Sequence, residues 1–214
     1  MSYAVKELFF TLQGEGGQTG RAAVFCRFTG CNLWNGREKD RERSACVFCD
    51  TDFVGVDGPG GGRFKTAVEL ARTIRNCWDQ RASGGEPLVV LTGGEPGLQV
   101  DGSLLRELKL EGFETAIETN GTLALPPGLD WVTVSPKPGL PLEVTEGSEL
   151  KLVFPQSDPS MAPSQFNHLK FEHFYLQPMD GPEQGKNLHA AVDYCQRFPQ
   201  WRLSLQTHKM IGLP

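Results

Sequence analysis

Seven short apolar runs, rich in β-branched and aromatic residues, recur along this chain, and almost every one stops at glycine or polar residues. They span 23–28, 88–91, 114–117, 131–134, 150–154, 174–176 and 202–205. Runs of that length, bounded by turn-forming residues, are strand signals. Helical spacing appears between some of them. It is carried by Leu70, Ala71 and Ile74 within 66–79, by Leu104, Leu105 and Leu108 within 103–110, and by Leu188, Ala191 and Cys195 within 186–198. Strands alternating with helices indicate parallel βα units. Parallel strands deliver their carboxyl ends to one face, where such folds carry chemistry. The connections 122–130 and 136–149 are rich in proline and glycine and hold no good helix. The expectation is a single α/β domain over residues 1–214, an incomplete TIM-like barrel of about six parallel strands with fewer helices.

Charge narrows the function. The net charge is -5, with both signs mixed along the chain, so there is no basic footprint for nucleic acid or an anionic membrane. No apolar run reaches the length of a membrane span. Lys6 and Glu7 interrupt the first apolar stretch, which therefore does not read as a secretion signal. A soluble, cytoplasmic protein is the expectation.

In a cytoplasmic protein, disulfides are disfavoured and clustered cysteines point to metal or redox work. Of the six cysteines, Cys31, Cys46 and Cys49 form a C-x14-C-x2-C motif. Three thiolates suit a cubane iron–sulfur cluster with one iron left open, whereas four would close it. A zinc site and a Cys46–Cys49 dithiol pair are the alternatives, and the second leaves Cys31 unexplained. Cys26, Cys77 and Cys195 read as small buried apolar residues. The stretch 32–45 between the first two motif cysteines is strongly charged and reads as a solvated excursion.

The aromatic Phe48 just before Cys49, and Thr92-Gly93-Gly94-Glu95 after a strand, resemble the radical S-adenosylmethionine superfamily, although its usual motif is C-x3-C-x2-C. More of the chain is similar to one of its families, the 7-carboxy-7-deazaguanine synthases. The similarity is carried by Thr11-Leu12-Gln13-Gly14-Glu15-Gly16, 27–34, Cys49-Asp50-Thr51-Asp52, Glu118-Thr119-Asn120-Gly121, Ser135-Pro136-Lys137, 177–182 and Gln206-Thr207-His208-Lys209. It spans essentially the whole sequence, and the widened cysteine spacing is itself similar to one bacterial branch.

The resemblance implies a carbon–nitrogen lyase. It would convert 6-carboxy-5,6,7,8-tetrahydropterin to 7-carboxy-7-deazaguanine with loss of ammonia, on the route to queuosine in tRNA. It implies a [4Fe–4S] cluster on Cys31, Cys46 and Cys49, bound S-adenosylmethionine, and magnesium held through Thr51. It also implies a homodimer and an electron donor such as flavodoxin. Cofactor contacts carry over to Phe48, Cys49, Asp50, Gly94, Ser135, Pro136, Lys137, Gln177, Pro178, Met179 and Asp180. Substrate contacts carry over to Leu12, Gln13, Gly14, Arg27, Thr92, Glu118, Asn120, His208 and Pro214, the last through its carboxylate. Taken by themselves the residues leave blander readings open. Arg27 could be a surface ion pair, Ser135 and Gln177 could cap strands, and Asp50 and Asp52 are better ligands for a hard cation than Thr51. The rival functions are a glycyl-radical activase of the same superfamily and a zinc-stabilised binding module.

Overall fold

The computed structural model describes residues 2–214. All seven predicted runs are strands, and they pair in parallel with their neighbours: β2 (Ala22–Phe28), β4 (Leu88–Gly93), β5 (Glu114–Thr119), β6 (Trp131–Val134), β7 (Glu146–Phe154), β8 (Lys170–Pro178) and β9 (Trp201–Leu203). Two further strands lie beyond β2. β1 (Tyr3–Leu12) runs antiparallel to it, and β3 (Gly62–Phe64) antiparallel to β1. The result is one nine-stranded, mostly parallel sheet in the order β3-β1-β2-β4-β5-β6-β7-β8-β9. The expected six parallel strands are thus too few, and the antiparallel edge was not foreseen.

Both missed strands lack a clean period. β1 buries Tyr3, Val5, Leu8 and Thr11, but its register slips between Val5 and Glu7. A bulge there shifts the alternation and leaves Lys6 and Glu7 in mid-run. β3 follows a run of glycines because its approach lies flat on β1. A side chain at position 61 would collide with the Lys6 carbonyl.

Helices α1 (Ala67–Asp79) and α2 (Gly102–Leu110) begin at sequence-encoded caps. The Thr66 hydroxyl accepts from the Glu69 amide at 3.1 Å, and the Asp101 carboxylate from the Leu104 amide at 2.9 Å. Each such cap is worth about 1 kcal/mol. Their apolar faces, with Leu70, Ile74, Leu104 and Leu108, share a core with Val24, Val89, Leu91 and Ile117 of the sheet. Helix α3 (Gln184–Arg197) covers the other half, where Ala191 meets Leu150, Leu152, Leu176 and Trp201. No helix joins β5 to β6 or β6 to β7, as the prolines and glycines there require. A short α4 (Thr207–Ile211) follows β9. Among the described residues no helix is long and apolar enough to cross a membrane.

Truncating Leu108, fully buried in α2, should cost about 2–5 kcal/mol through the cavity left behind. Leu110→Ala, two residues on but 74% exposed, should stay within about 0.5 kcal/mol. Chemical unfolding of both variants checks the assigned faces of this helix.

Candidate active site

The carboxyl ends of the parallel strands, the Cys31–Asp52 segment and the start of α4 enclose a cavity of about 590 Å³. Cys31, Cys46 and Cys49 all open onto it. Burial pushes the Cys31 and Cys46 thiols up. The Leu33 and Trp34 amides draw the first back, and the Lys137 ammonium the second. Lys137 is itself pulled down by burial and held up by Cys46, Cys49 and Glu95. Its Nζ donates to the Ser135 carbonyl at 2.7 Å and lies 5.8 Å from the Phe48 ring centroid. Among the described residues no three His, Cys, Asp or Glu side chains converge as ligands of a single metal ion would. A cubane places different demands on its ligands, because each thiolate holds a different iron. Three thiols opening onto one cavity, with the Lys137 ammonium beside them to offset their charge, suit such a cluster.

Across the cavity lies a buried polar network. Gln13 donates to Glu118 Oε1 at 3.0 Å, and Thr92 to Glu118 Oε2 at 3.2 Å. Lys151, which sequence reasoning did not single out, stands between carboxylates. It is ion-paired with Glu15 and lies 3.6 Å from Glu118. Burial lowers the Lys151 ammonium, but Glu118, Glu15 and Glu149 raise it further, so it stays charged. Glu15 also accepts from Gln206 at 3.0 Å. The available signal was a lysine inside the apolar run Leu150-Lys151-Leu152. Glu95 was quoted only as part of a motif. It is fully buried and accepts from Thr119 Oγ1 at 2.7 Å and from the Asn120 amide at 2.8 Å.

The other sequence-predicted residues divide as follows. Leu12, Gly14, Asp50, Thr51, Gly94, Gln177, Pro178, Met179, His208 and Pro214 line the cavity. Pro136 does not. It is buried outside the wall while Ser135 and Lys137 face inward. Arg27 reaches the cavity with its Nε bound to Glu7 at 2.7 Å. Asn120 lines it too, but its amide donates to Asn32 at 3.0 Å. The two aspartates flanking Thr51 are occupied, Asp50 by Lys209 at 2.7 Å and Asp52 by Lys6 at 3.0 Å. Lys209 also bridges Asp180 at 2.6 Å.

A 7-carboxy-7-deazaguanine synthase of Bordetella pertussis is 61% identical over 214 residues, covering all of both chains. The chain belongs to the 7-carboxy-7-deazaguanine synthase family. Another member, from Bacteroides thetaiotaomicron, is 39% identical over 213 residues and also covers all of both chains. The solved structure of QueE from Escherichia coli shares the fold with a TM-score of 0.71 at 26% identity, over 96% of this chain and 94% of that one. No family model matches.

The network makes a pH-dependent prediction. Burial raises the Glu15 carboxyl, but the charge and hydrogen bond of Lys151 bring it below its ordinary 4.5. A depressed carboxyl contributes stability that is present above the unfolded value and is lost as pH falls through the folded one. Lys151→Met removes that contribution and strands several carboxylates. It should therefore destabilise the chain by about 3–5 kcal/mol near neutral pH. The gap to the parent should narrow toward about pH 4, below the ordinary 4.5 of Glu15, as the Glu15 contribution is lost. Unfolding curves at both pH values decide it, and a gap that widens in acid contradicts the assignment.

Proposed function

We propose that this chain is a cytoplasmic radical S-adenosylmethionine lyase built on a partial TIM-like barrel. In this reading it converts 6-carboxy-5,6,7,8-tetrahydropterin to 7-carboxy-7-deazaguanine with loss of ammonia, toward queuosine. The observation that carries the proposal is a shared cavity: three thiols from one loop face Gln13, Arg27 and Glu118 from elsewhere in the chain. The relatives' names supply the product.

Bound in this cavity, a [4Fe–4S] cluster and S-adenosylmethionine would supply radical chemistry there. Cys31, Cys46 and Cys49 would each hold one iron. Gly94, Ser135, Lys137 and the 177–180 segment would hold the cofactor. Glu118 keeps acceptor capacity beyond its bonds to Gln13 and Thr92, and an N–C–N edge of a pterin presents adjacent donors to it. Arg27 spends Nε on Glu7, which leaves its two amino groups for a carboxylate. His208, Lys209 and Pro214 line the cavity, where they would help to keep water out and hold the substrate in one orientation. Both neighbouring aspartates are paired with lysines, and the Thr51 hydroxyl would serve a magnesium ion shared with substrate. A homodimer served by a flavodoxin-type electron donor completes the reading.

Anaerobic reconstitution with iron and sulfide, followed by an assay for deazaguanine formation, tests the proposal. Cys31→Ala, Cys46→Ala and Cys49→Ala should each abolish cofactor cleavage, while Cys77→Ala and Cys195→Ala retain it. Full activity in any of the first three sinks the assignment. Separately, activity should fall in chelator and return with magnesium, and Thr51→Ala should blunt that return. Equal turnover with and without chelator would remove magnesium from the scheme.

A further inference from the structure

The charged stretch between Cys31 and Cys46 is folded back on itself, and one of its arginines reaches the cysteine loop. Arg41 sits on the 3₁₀ helix Glu38–Arg43. Its guanidinium stacks on Trp34, 4.1 Å from the ring centroid. Nη1 donates to the Cys49 carbonyl at 2.8 Å and to the Val47 carbonyl at 3.2 Å, and Nε donates to Glu38 at 2.8 Å. The platform beneath it is fixed. Trp34 is buried, packs edge-on against Phe53 at 5.6 Å and donates Nε1 to the Arg37 carbonyl at 3.2 Å. The Ser44 hydroxyl lies 2.8 Å from the Cys46 carbonyl.

Residues 46–50 belong to no strand or helix, so no ladder supplies donors to their carbonyls. Arg41 supplies them from outside. We propose that Arg41 is a positioning residue for the cluster, fixing the Cys46–Cys49 loop in its ligating shape and holding a permanent positive charge beside it. The inference rests on the cluster reading above. Its geometry needs a planar fork that can donate along its edge while stacking on its face, which lysine cannot do. The competing role is an exposed i,i+3 pair with Glu38, which would be worth little. That role does not account for the two carbonyls or for the ring. A cation near a cluster favours its reduced, more negative state, so the charge also bears on the potential.

The test compares Arg41→Ala, Arg41→Gln and a control, Arg43→Ala, on the same 3₁₀ helix with an exposed side chain. In the metal-free chain, iodoacetamide should alkylate Cys46 and Cys49 about tenfold faster in Arg41→Ala than in the parent, and no faster in the control. In the reconstituted chain, Arg41→Ala should lose iron to a chelator sooner and show a more negative midpoint potential. Arg41→Gln keeps an amide donor without the charge. It should recover part of the thiol protection and none of the potential. Arg41→Ala matching Arg43→Ala in alkylation, iron retention and potential overturns the proposal. A parent that takes up no iron and sulfide overturns the cluster reading instead, and the alkylation comparison still reports on the loop.

Discussion

Parallel pairing forces β2 and β4 through β9 to run the same way, so their carboxyl ends gather at one edge of the sheet. Everything in the site descends from that constraint. Thr92, Glu118, Ser135 and Gln177 are far apart in sequence, yet each stands at or just past the end of a strand. The ladder sets their spacing before any side chain interacts. Missing helices between β5 and β7 do not disturb it, because the register is held by strand neighbours and not by the crossovers.

Gathering polar ends in one place creates an electrostatic problem that the cavity solves with lysines. Lys151 faces Glu15, Glu118 and Glu149, and Lys137 faces the thiols and Glu95. Either cation alone would carry a heavy desolvation penalty, and each is retained because several partners share it. Lys209 acts at the rim. By bridging Asp50 and Asp180 it ties α4 both to the cysteine segment and to the end of β8. The wall is therefore a set of loops cross-linked by charge.

Much of this was legible in the sequence because two patterns and one spacing carry it. Short apolar runs bounded by glycine and polar residues marked the seven parallel strands, helical spacing marked α1 to α3, and the C-x14-C-x2-C spacing marked the wall with the thiols. What escaped did so for physical reasons. β1 hid behind a bulge, and β3 behind glycines that serve close backbone approach. Pro136 was taken with its neighbours as a unit, although alternate residues leaving a strand face opposite ways. Lys151 was visible as a charge in an apolar run. Nothing in one dimension says whether such a lysine points to solvent or to carboxylates such as Glu15 and Glu118 from elsewhere in the chain.

The segment Gly93-Gly94-Glu95 shows how backbone contact joins the two halves of the site. The Glu95 amide donates to the Gly30 carbonyl at 2.9 Å, which lays the end of β4 across the residue before Cys31. A side chain at position 93 would run into the Phe28 carbonyl, and one at 94 into the Gly30 carbonyl. Only glycine at both positions permits the approach. Glu95 then turns inward and takes donors from Thr119 and Asn120. One short turn thus fastens the segments that follow β2, β4 and β5 to each other. Cys31 and the segment after Glu118 are thereby joined through one backbone junction, in addition to the strand pairing that spaces β2, β4 and β5.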